Sequence, residues 1–170
     1  MDAEKIIAQI PDFPKKGILF YDITPLLAAP KAYAEAVDAM ADEVAKTNPT
    51  VIAAPEARGF FFGIPIAQKL NLPFIPVRKK GKLPRKTIEV EYALEYGTGV
   101  LCAHSGDIPE NANVAIVDDI LATGGTAKAI ADIVEKCGAK VACFAFFMEL
   151  EFLNGRNLLK GADVVSMIVK

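Results

Sequence analysis

Residues 114–126 read VAIVDDILATGGT and combine residue types that suit two different parts of one ligand. An apolar run leads into two adjacent carboxylates, Asp118 and Asp119, and these lead into a loop of Thr and Gly. A Gly-rich loop that opens a helix binds phosphate, because its backbone N–H groups point outward and the helix N-terminus adds partial positive charge. Ionised carboxylates only accept hydrogen bonds, so they suit hydroxyl groups instead. The pattern therefore predicts a ligand of the ribose 5-phosphate type.

The predicted phosphate loop consists of Ala122, Thr123, Gly124, Gly125 and Thr126. The sequence contains no G-x-x-x-x-G-K-[ST] and no complete G-x-G-x-x-G. It therefore lacks the fingerprints of P-loop proteins and of dinucleotide-dependent oxidoreductases. A structural alternative is an Asp pair that caps a helix beside a Gly-rich turn. The combination of an apolar strand, two acids and the loop favours the binding site, because α/β proteins bind ligands at such strand-to-helix junctions.

The elements that must position this loop alternate along the chain. Apolar residues recur at helical spacing in three stretches, Lys31–Lys46, Gly59–Leu70 and about Thr126–Gly138. Continuous apolar runs predict buried strands at Val51–Ala54, Phe74–Val77, Val114–Val117, Val141–Met148 and Ala162–Val169. We expect Pro65 to kink the second helix or mark its true start, and Pro76 to occupy an irregular strand position. The alternation predicts an α/β fold with a mostly parallel central sheet flanked by helices.

The segment from Lys86 to Cys102 interrupts this alternation. Its polar and apolar residues alternate in TIEVEYAL, and Gly97 and Gly99 lie at or near a predicted turn. A long excursion of this kind within a compact domain is more often a lid or a binding loop than a simple connection. The sequence therefore predicts a β-hairpin with a functional role.

Composition limits the classes to which the protein can belong. The chain has 170 residues, which predicts one domain over 1–170. Its formal net charge is −2, whereas a general nucleic-acid binder is normally basic. The three cysteines form no C-x-x-C pair, which favours reduced thiols in a cytoplasm. No apolar run approaches the roughly 20 residues that cross a bilayer, and the N-terminus does not resemble a signal peptide, so we expect a cytoplasmic protein that does not bind membranes.

Several kinds of catalytic site are disfavoured by the residues that the chain lacks. It contains one histidine, His104, two serines and no G-x-S-x-G, so serine hydrolase chemistry is not expected. We interpret His104 as a structural residue. No Cys/His cluster has metal-ligand spacing, so the sequence predicts no metal site built from protein residues alone.

The motif VAIVDDILATGGT resembles the phosphoribosyl-pyrophosphate-binding motif of the type I phosphoribosyltransferases: a hydrophobic run, two acids and a Thr-Gly-rich phosphate loop. The segments GILFYDITPLL, PEARGFFFG and PVRKKGKLPRKTIEVEYALEYG resemble those of the adenine-specific members, and LNGRNLL is also in place. The similarity extends over most of the chain. It implies the type I phosphoribosyltransferase fold, with a mobile β-hairpin hood at approximately residues 80–103.

The resemblance also implies where pyrophosphate binds. EARG, residues 56–59, follows a predicted strand and opens a helix, which makes a second anion-binding junction. The family assigns Arg58, Arg78 and Lys79 to pyrophosphate, the last two in their own site or across a dimer interface. The alternatives are a surface ion pair for Arg58, and a solvated loop or a nucleic-acid patch for the basic run RKKGKLPRK. That run is short and has no interleaved aromatic residue, which disfavours nucleic acid.

Two further groups of residues take their roles from the resemblance. Glu95 is implied as the catalytic carboxylate of the hood, and Tyr96 as a lid residue that closes over the substrates. Leu19, Phe20 and Tyr21 are implied as the adenine-binding residues. Phe20 taken alone would be interpreted as a buried core aromatic. The chain departs from the adenine-specific members at Tyr21, where Arg is common.

The activity implied by the resemblance is transfer of the 5-phosphoribosyl group from phosphoribosyl pyrophosphate to adenine. The products would be AMP and pyrophosphate, in purine salvage. Mg²⁺ is the expected cofactor and would arrive with the substrate, held mainly by substrate oxygens. The family also implies a homodimer. The alternatives are a transferase for hypoxanthine, guanine or xanthine, and a non-catalytic regulator that senses phosphoribosyl pyrophosphate.

Overall fold

The structure is a computed structural model that describes residues 3–93 and 98–170. The described residues fall into two compact units, one that ends at Ala39 and one that begins at Met40. The boundary lies within a helix. The single domain expected from the chain length stays a prediction.

The first unit contains short elements and a two-stranded sheet. In chain order these are α1 (Ala3–Ile6), β1 (Ala8–Pro11), β2 (Leu19–Asp22), α2 (Thr24–Leu27) and the start of α3 (Pro30–Ala45). The β1 and β2 strands pair in antiparallel fashion, with Pro11 opposite Leu19. The Phe13 ring packs edge-on against Phe20, with the ring centroids 5.1 Å apart. This contact orients an aromatic ring of β2, the strand predicted to contact adenine.

The second unit is built on a mostly parallel sheet, as the sequence predicts. Its elements are β3 (Val51–Pro55), α4 (Arg58–Leu70), β4 (Phe74–Lys79), β5 (Thr87–Ala93), β6 (Thr98–His104), β7 (Asn113–Leu121), α5 (Gly125–Lys136), β8 (Lys140–Glu149) and β9 (Asp163–Val169). Two 3-10 helices, Glu151–Leu153 and Gly155–Leu158, lie between β8 and β9. Over the described residues the strand order is β5-β6-β4-β3-β7-β8-β9. The four pairings from β4 to β9 are parallel.

Helices cover both faces of this sheet. The Phe62 ring of α4 stacks on Phe147 of β8 with the ring centroids 5.2 Å apart. On the other face, Ile130 and Ile133 of α5 share a buried cluster with Phe144 of β8. Successive strand residues point to opposite faces, so both sets must be apolar when both faces are covered. This explains why the central strands consist of continuous apolar runs.

The order of the strands in the sheet shows at which edge a ligand is expected to bind. The β3 strand lies beside β7, although a helix and three strands separate them along the chain. From β3 the chain crosses through α4 to β4 on one side, and from β7 it crosses through α5 to β8 on the other. The order of the strands therefore reverses between β3 and β7. Open α/β sheets bind ligands at the carboxyl ends of strands at such a point.

The predicted β-hairpin is present and extends the edge of the central sheet. The β5 and β6 strands pair in antiparallel fashion from Thr87 opposite His104 to Ala93 opposite Thr98. The β6 strand also pairs with β4, where Arg78 lies opposite Cys102. Gly99, expected at or near the turn, is the second residue of β6 and lies opposite Tyr92, next to the last pair of the hairpin. Gly97 lies outside the described residues.

The structure contradicts one expectation about Pro76 and part of another about Pro65. Pro65 lies inside α4, which begins at Arg58, so Pro65 does not mark the start of the helix. The other alternative, a kink at Pro65, stays a prediction. Pro76 has a regular parallel partner, Ala54. Backbone groups alternate sides along a strand, and Val77 accepts a hydrogen bond from Glu56 on the β3 side, at 2.9 Å. The missing N–H of Pro76 therefore points away from β3, which is why the strand tolerates it.

The strand that carries the two acids is longer than predicted. We expected β7 to end at Asp118 and Asp119, but it continues to Leu121 and pairs with β8 as far as Glu149. A carboxylate interrupts the hydrophobic pattern without interrupting the backbone hydrogen bonds. The apolar run is therefore shorter than the strand. None of the described helices is long and apolar enough to cross a membrane.

Candidate active site

The predicted phosphate loop connects β7 to α5 and lines a small cleft. Gly124 is the N-cap of α5 and has a φ of 83°, which favours glycine. None of the described side chains caps this helix, so the N–H groups of its first turn are available to an anion. The first cleft has a volume of about 70 Å³ and is lined by Asp118, Ile120, Leu121, Ala122, Thr123, Gly124, Gly125, Thr126, Ala127 and Phe146. All five predicted loop residues therefore lie at this cleft.

A second cleft, of about 190 Å³, lies at the junction that follows β3. Its lining residues are Pro55, Glu56, Ala57, Arg58, Lys79, Tyr92, Leu101, Asp118, Asp119 and Thr126. Asp118 and Thr126 line both clefts. The two strand-to-helix junctions thus adjoin, and one carboxylate lies between them. Arg58, Lys79 and both acids are brought together as the sequence predicted.

The two acids have different surroundings. Asp119 is only 3% exposed, and Arg58 Nε lies 2.9 Å from its Oδ2. Asp119 Oδ2 has no hydrogen-bond partner among the described residues. Asp118 is half-buried, and its Oδ1 accepts the Asp119 N–H at 2.8 Å. The alternative for Arg58 was a surface ion pair, but its partner here is a buried residue of the cleft.

Burial raises the pKa of Asp118 well above its usual value, and the nearby charge of Asp119 raises it further. The charged form is less favourable than in a free carboxyl, because a second negative charge is costly beside Asp119 in a partly buried site. Hydroxyl donors or a cation at this position would stabilise the charged form. Asp118 is thus suited to a ligand that brings hydroxyls and develops positive charge.

Glu56 organises the basic segment, and sequence reasoning missed it. Its carboxylate accepts a hydrogen bond from the Lys79 N–H at 2.7 Å and one from Arg78 Nη2 at 2.9 Å. Burial opposes its ionisation, but these hydrogen bonds outweigh that effect and lower the pKa of Glu56. Arg78 Nη1 also donates to the Lys82 carbonyl at 3.2 Å. The only signal in the sequence was an acid two residues before Arg58.

Tyr92 is a second residue that sequence reasoning missed. It lies on β5, lines the second cleft and faces Gly99 across the hairpin. A Cβ placed on Gly99 would lie 2.7 Å from Tyr92 Cε1, so glycine leaves room for the ring over β6. The cross-strand pair of glycine and tyrosine was visible only once the register was known.

The remaining predicted residues lie elsewhere. Leu19, Phe20 and Tyr21 are on β2 in the first unit, where Leu19 is exposed and the two rings are half-buried. Phe20 is therefore not a buried core aromatic. Glu95 and Tyr96 lie outside the described residues.

His104 has the contacts of a structural residue. It is buried, and its Nε2 accepts a hydrogen bond from the backbone N–H of Arg85 at 3.3 Å. Its Nδ1 lies 3.4 Å from Asp107, which is itself paired with the Arg85 side chain. These contacts join the end of β6 to the segment before β5.

The acids fit a cation that is held mainly by its ligand. No group of three or more His, Cys, Asp or Glu that could hold a metal occurs among residues 3–93 and 98–170. Asp118 and Asp119 supply two carboxylates at the second cleft, one of which has a buried oxygen without a hydrogen bond. Mg²⁺ keeps several waters and binds through one or two carboxylates plus substrate phosphates. The residues present suit that arrangement.

Comparison with known proteins identifies the family. The phosphoribosyl transferase domain matches residues 22–160. An adenine phosphoribosyltransferase from Maridesulfovibrio salexigens is 50% identical over 168 residues, which cover 99% of this chain and 99% of that protein.

Solved structures agree. The adenine phosphoribosyltransferase of Thermoanaerobacter pseudethanolicus has a TM-score of 0.96 and 48% identity, covering 99% of this chain and 98% of that one. The enzyme of Saccharomyces cerevisiae, complexed with adenine and D-2,5-dideoxy-2,5-imino-altritol 1,6-bisphosphate, has a TM-score of 0.92 and 38% identity, covering 96% and 94%. With two adjoining clefts at the switch point of its sheet and this similarity along its whole length, the chain belongs to the phosphoribosyl transferase domain family and, within it, to the adenine phosphoribosyltransferases.

Proposed function

We propose that this chain transfers the 5-phosphoribosyl group from phosphoribosyl pyrophosphate to adenine, giving AMP and pyrophosphate in purine salvage. The observation that carries the proposal is the shared border of the two clefts at Asp118 and Thr126. A substrate with a phosphate at each end of a ribose needs two anion sites with hydroxyl acceptors between them. The yeast relative, whose structure holds adenine and a bisphosphate, supports the same assignment.

The residues of the two clefts would bind different parts of the substrate. Ala122 to Thr126 would hold the 5-phosphate through the loop and the N-terminus of α5. Arg58 and Lys79 would hold the pyrophosphate, and Arg78 would support Lys79 through Glu56. Asp118 would accept the ribose hydroxyls, and Asp119 would orient Arg58 through their ion pair.

The same charges favour the reaction itself. Departure of pyrophosphate leaves positive charge on the ribose, and Asp118 and Asp119 would stabilise that charge. Arg58 and Lys79 stabilise the negative charge that accumulates on the leaving group. Charged groups that are already in place before the reaction stabilise the transition state effectively, because they need not reorganise. The base nitrogen forms its bond to the same carbon that releases pyrophosphate.

Base recognition and closure are assigned to residues outside the two clefts. We propose that Phe20 stacks on adenine and that Leu19 and Tyr21 complete its pocket. Glu95 would orient the base and receive its proton, and Tyr96 would close over it. Closure excludes water, which would otherwise hydrolyse the activated sugar.

Mg²⁺ is the proposed cofactor, held mainly by pyrophosphate oxygens and waters with Asp118 or Asp119 beside it. When bound, it would neutralise charge on the leaving group. We further propose a cytoplasmic homodimer that forms one phosphoribosyltransferase domain per chain, in which Arg78 and Lys79 contribute to their own or to the neighbouring site. Sedimentation at several concentrations would test the dimer, and a monomer at every concentration would contradict it.

The activity is tested by AMP formation from adenine, phosphoribosyl pyrophosphate and Mg²⁺. We expect turnover with adenine and much slower turnover with guanine or hypoxanthine run in parallel. Faster turnover with another base would move the assignment to that base. Binding of phosphoribosyl pyrophosphate without turnover of any base would instead indicate a sensing regulator.

A further inference from the structure

A turn that follows β8 lies directly against the phosphate loop. Gly155 begins the 3-10 helix Gly155–Leu158 and is buried. A Cβ placed on Gly155 would lie 2.2 Å from the Ala122 carbonyl oxygen and 3.0 Å from the Gly124 nitrogen. In the other direction, a Cβ placed on Gly124 would lie 2.5 Å from the Gly155 carbonyl oxygen. Two backbones therefore touch here, and neither position has room for a side chain.

The residue after Gly155 fastens this turn to the sheet. Arg156 donates from Nε to Glu149 Oε1 at 2.7 Å and from Nη2 to Glu149 Oε2 at 2.6 Å. Its third nitrogen, Nη1, donates to the Val164 carbonyl at 2.7 Å. Ser166 Oγ donates to the same Glu149 carboxylate at 2.7 Å. The turn is thus tied to the last residue of β8 and to two residues of β9.

The geometry of this network is more specific than stability alone requires. Glu149 is only 4% exposed, and the hydrogen bonds from Arg156 lower the pKa of its carboxyl. Only the Glu149 side of this ion pair is buried, and desolvation of that carboxylate offsets part of the attraction, but a planar two-point contact defines position closely. Arg156 is held at three points, so Gly155 has little freedom to move away from the loop.

We propose that Gly155 and Arg156 are positioning residues for the 5-phosphate: the turn, held by Glu149 and Ser166, keeps the backbone of Ala122 to Gly124 in the shape that accepts it. This inference rests on the proposed function in one respect, the assignment of the 5-phosphate to this loop. The residues nearest to Gly155, namely Leu121, Ala122 and Gly124, all line the first cleft. Disturbance of the turn should therefore affect the phosphate end of the substrate and spare the pyrophosphate end.

The test compares two ligands on purified variants by calorimetry. Gly155→Ala should bind ribose 5-phosphate at least about tenfold more weakly, because displacement of a binding loop by a fraction of an ångström is costly. Its affinity for pyrophosphate should be unchanged. Gly161→Ala is the control for a substitution in the same segment: Gly161 lies beyond the 3-10 helix, and a Cβ there meets no described atom within 4 Å, so its effect is limited to the local backbone strain of Ala at a φ of 87°. It should bind both ligands like the wild type.

A second substitution keeps the test decisive if Gly155→Ala does not fold. Arg156→Lys retains the charge but loses the two-point contact with Glu149. It should show a smaller loss of ribose 5-phosphate affinity than Arg156→Ala, again with pyrophosphate binding preserved. In turnover assays both should raise the KM for phosphoribosyl pyrophosphate more than they lower kcat. A purely structural role predicts instead that the affinities for ribose 5-phosphate and for pyrophosphate change together.

The outcomes separate this inference from the proposed activity. If Gly155→Ala and Arg156→Lys bind ribose 5-phosphate as tightly as the wild type, or lose both ligands equally, the positioning role is refuted even when the wild type makes AMP. If the wild type makes no AMP but binds ribose 5-phosphate and the variants lose it selectively, the activity is refuted and the positioning role stands. A wild type that does not bind ribose 5-phosphate would overturn both.

Discussion

Asp118 connects ligand binding to the stability of the protein. It is the acid that borders both clefts, and it is held beside Asp119 in a partly buried site. Its pKa is raised by burial and by the charge of Asp119. The arrangement suits a cationic transition state and is unfavourable in the empty protein. Functional sites commonly lower the stability of a protein, because groups that are arranged to bind a ligand lack that partner when no ligand is bound.

This cost predicts an effect of pH on stability. The pKa of Asp118 in the folded chain lies above its unfolded value of about 3.9, so the folded chain binds more protons between those two values. Stability from this group therefore falls as pH rises through that window. Asp118→Asn removes the charge but keeps an oxygen for the Asp119 N–H. We expect its Tm at pH 7 to exceed that of the wild type, and the difference to shrink towards pH 4.

Thermal unfolding of both proteins across this pH range measures the effect. Asp42→Asn, which removes an exposed carboxylate from α3, is the control and should leave the pH profile as it is. A Tm difference for Asp118→Asn that does not change between pH 4 and pH 7 would contradict the raised pKa.

At the scale of the elements, residues from the start of α4 and the end of β4 line one cleft, which we propose as a single anion site. Glu56 at the junction after β3 holds the Lys79 backbone and the Arg78 side chain at the end of β4. The cations that would contact pyrophosphate are therefore oriented by an acid of a neighbouring junction. This explains how a cleft for a polyanion can contain a carboxylate.

Glu56→Ala should weaken pyrophosphate binding and spare ribose 5-phosphate. It removes two hydrogen bonds of an ionised group, each of which contributes about 1.5–3 kcal/mol, so we expect roughly a tenfold loss of pyrophosphate affinity after partial relaxation. Calorimetry with the two ligands measures it. The matched control is Glu89→Ala, which breaks the ion pair of Glu89 with Lys80. Solvent screens an exposed pair strongly, so this control should bind both ligands normally. Equal effects of the two substitutions would refute the role of Glu56.

For the whole molecule, the proposed function predicts stabilisation by the product. A ligand at 100 times its Kd stabilises the folded chain by about 2.7 kcal/mol. For a chain of this size that corresponds to a rise in Tm of roughly 5 to 11 °C. We expect AMP to produce it in a thermal shift assay. GMP shares the ribose phosphate and should produce a smaller rise, and adenosine, which lacks the phosphate, should produce little. An equal rise with GMP would show that the site does not select adenine.

The hydrophobic pattern predicted the class of fold and most of its elements. Strands covered on both faces must be apolar throughout, so β7 and β8 were visible as continuous runs. One error lies where a residue type serves two purposes: Asp118 and Asp119 belong to β7 although they end its apolar run.

The sequence by itself determined the two junctions that we propose to bind anions, because each is a contiguous stretch in which a strand, a short loop and the start of a helix follow one another. The tertiary structure decided how they combine. Pairing of β3 with β7 brings Arg58 to Asp119, and the turn after β8 brings Gly155 to Gly124. It also decided the chemistry of Asp118, whose pKa depends on burial and on its neighbours. Distances between segments far apart in the chain arise from strand order and packing, which no local spacing encodes.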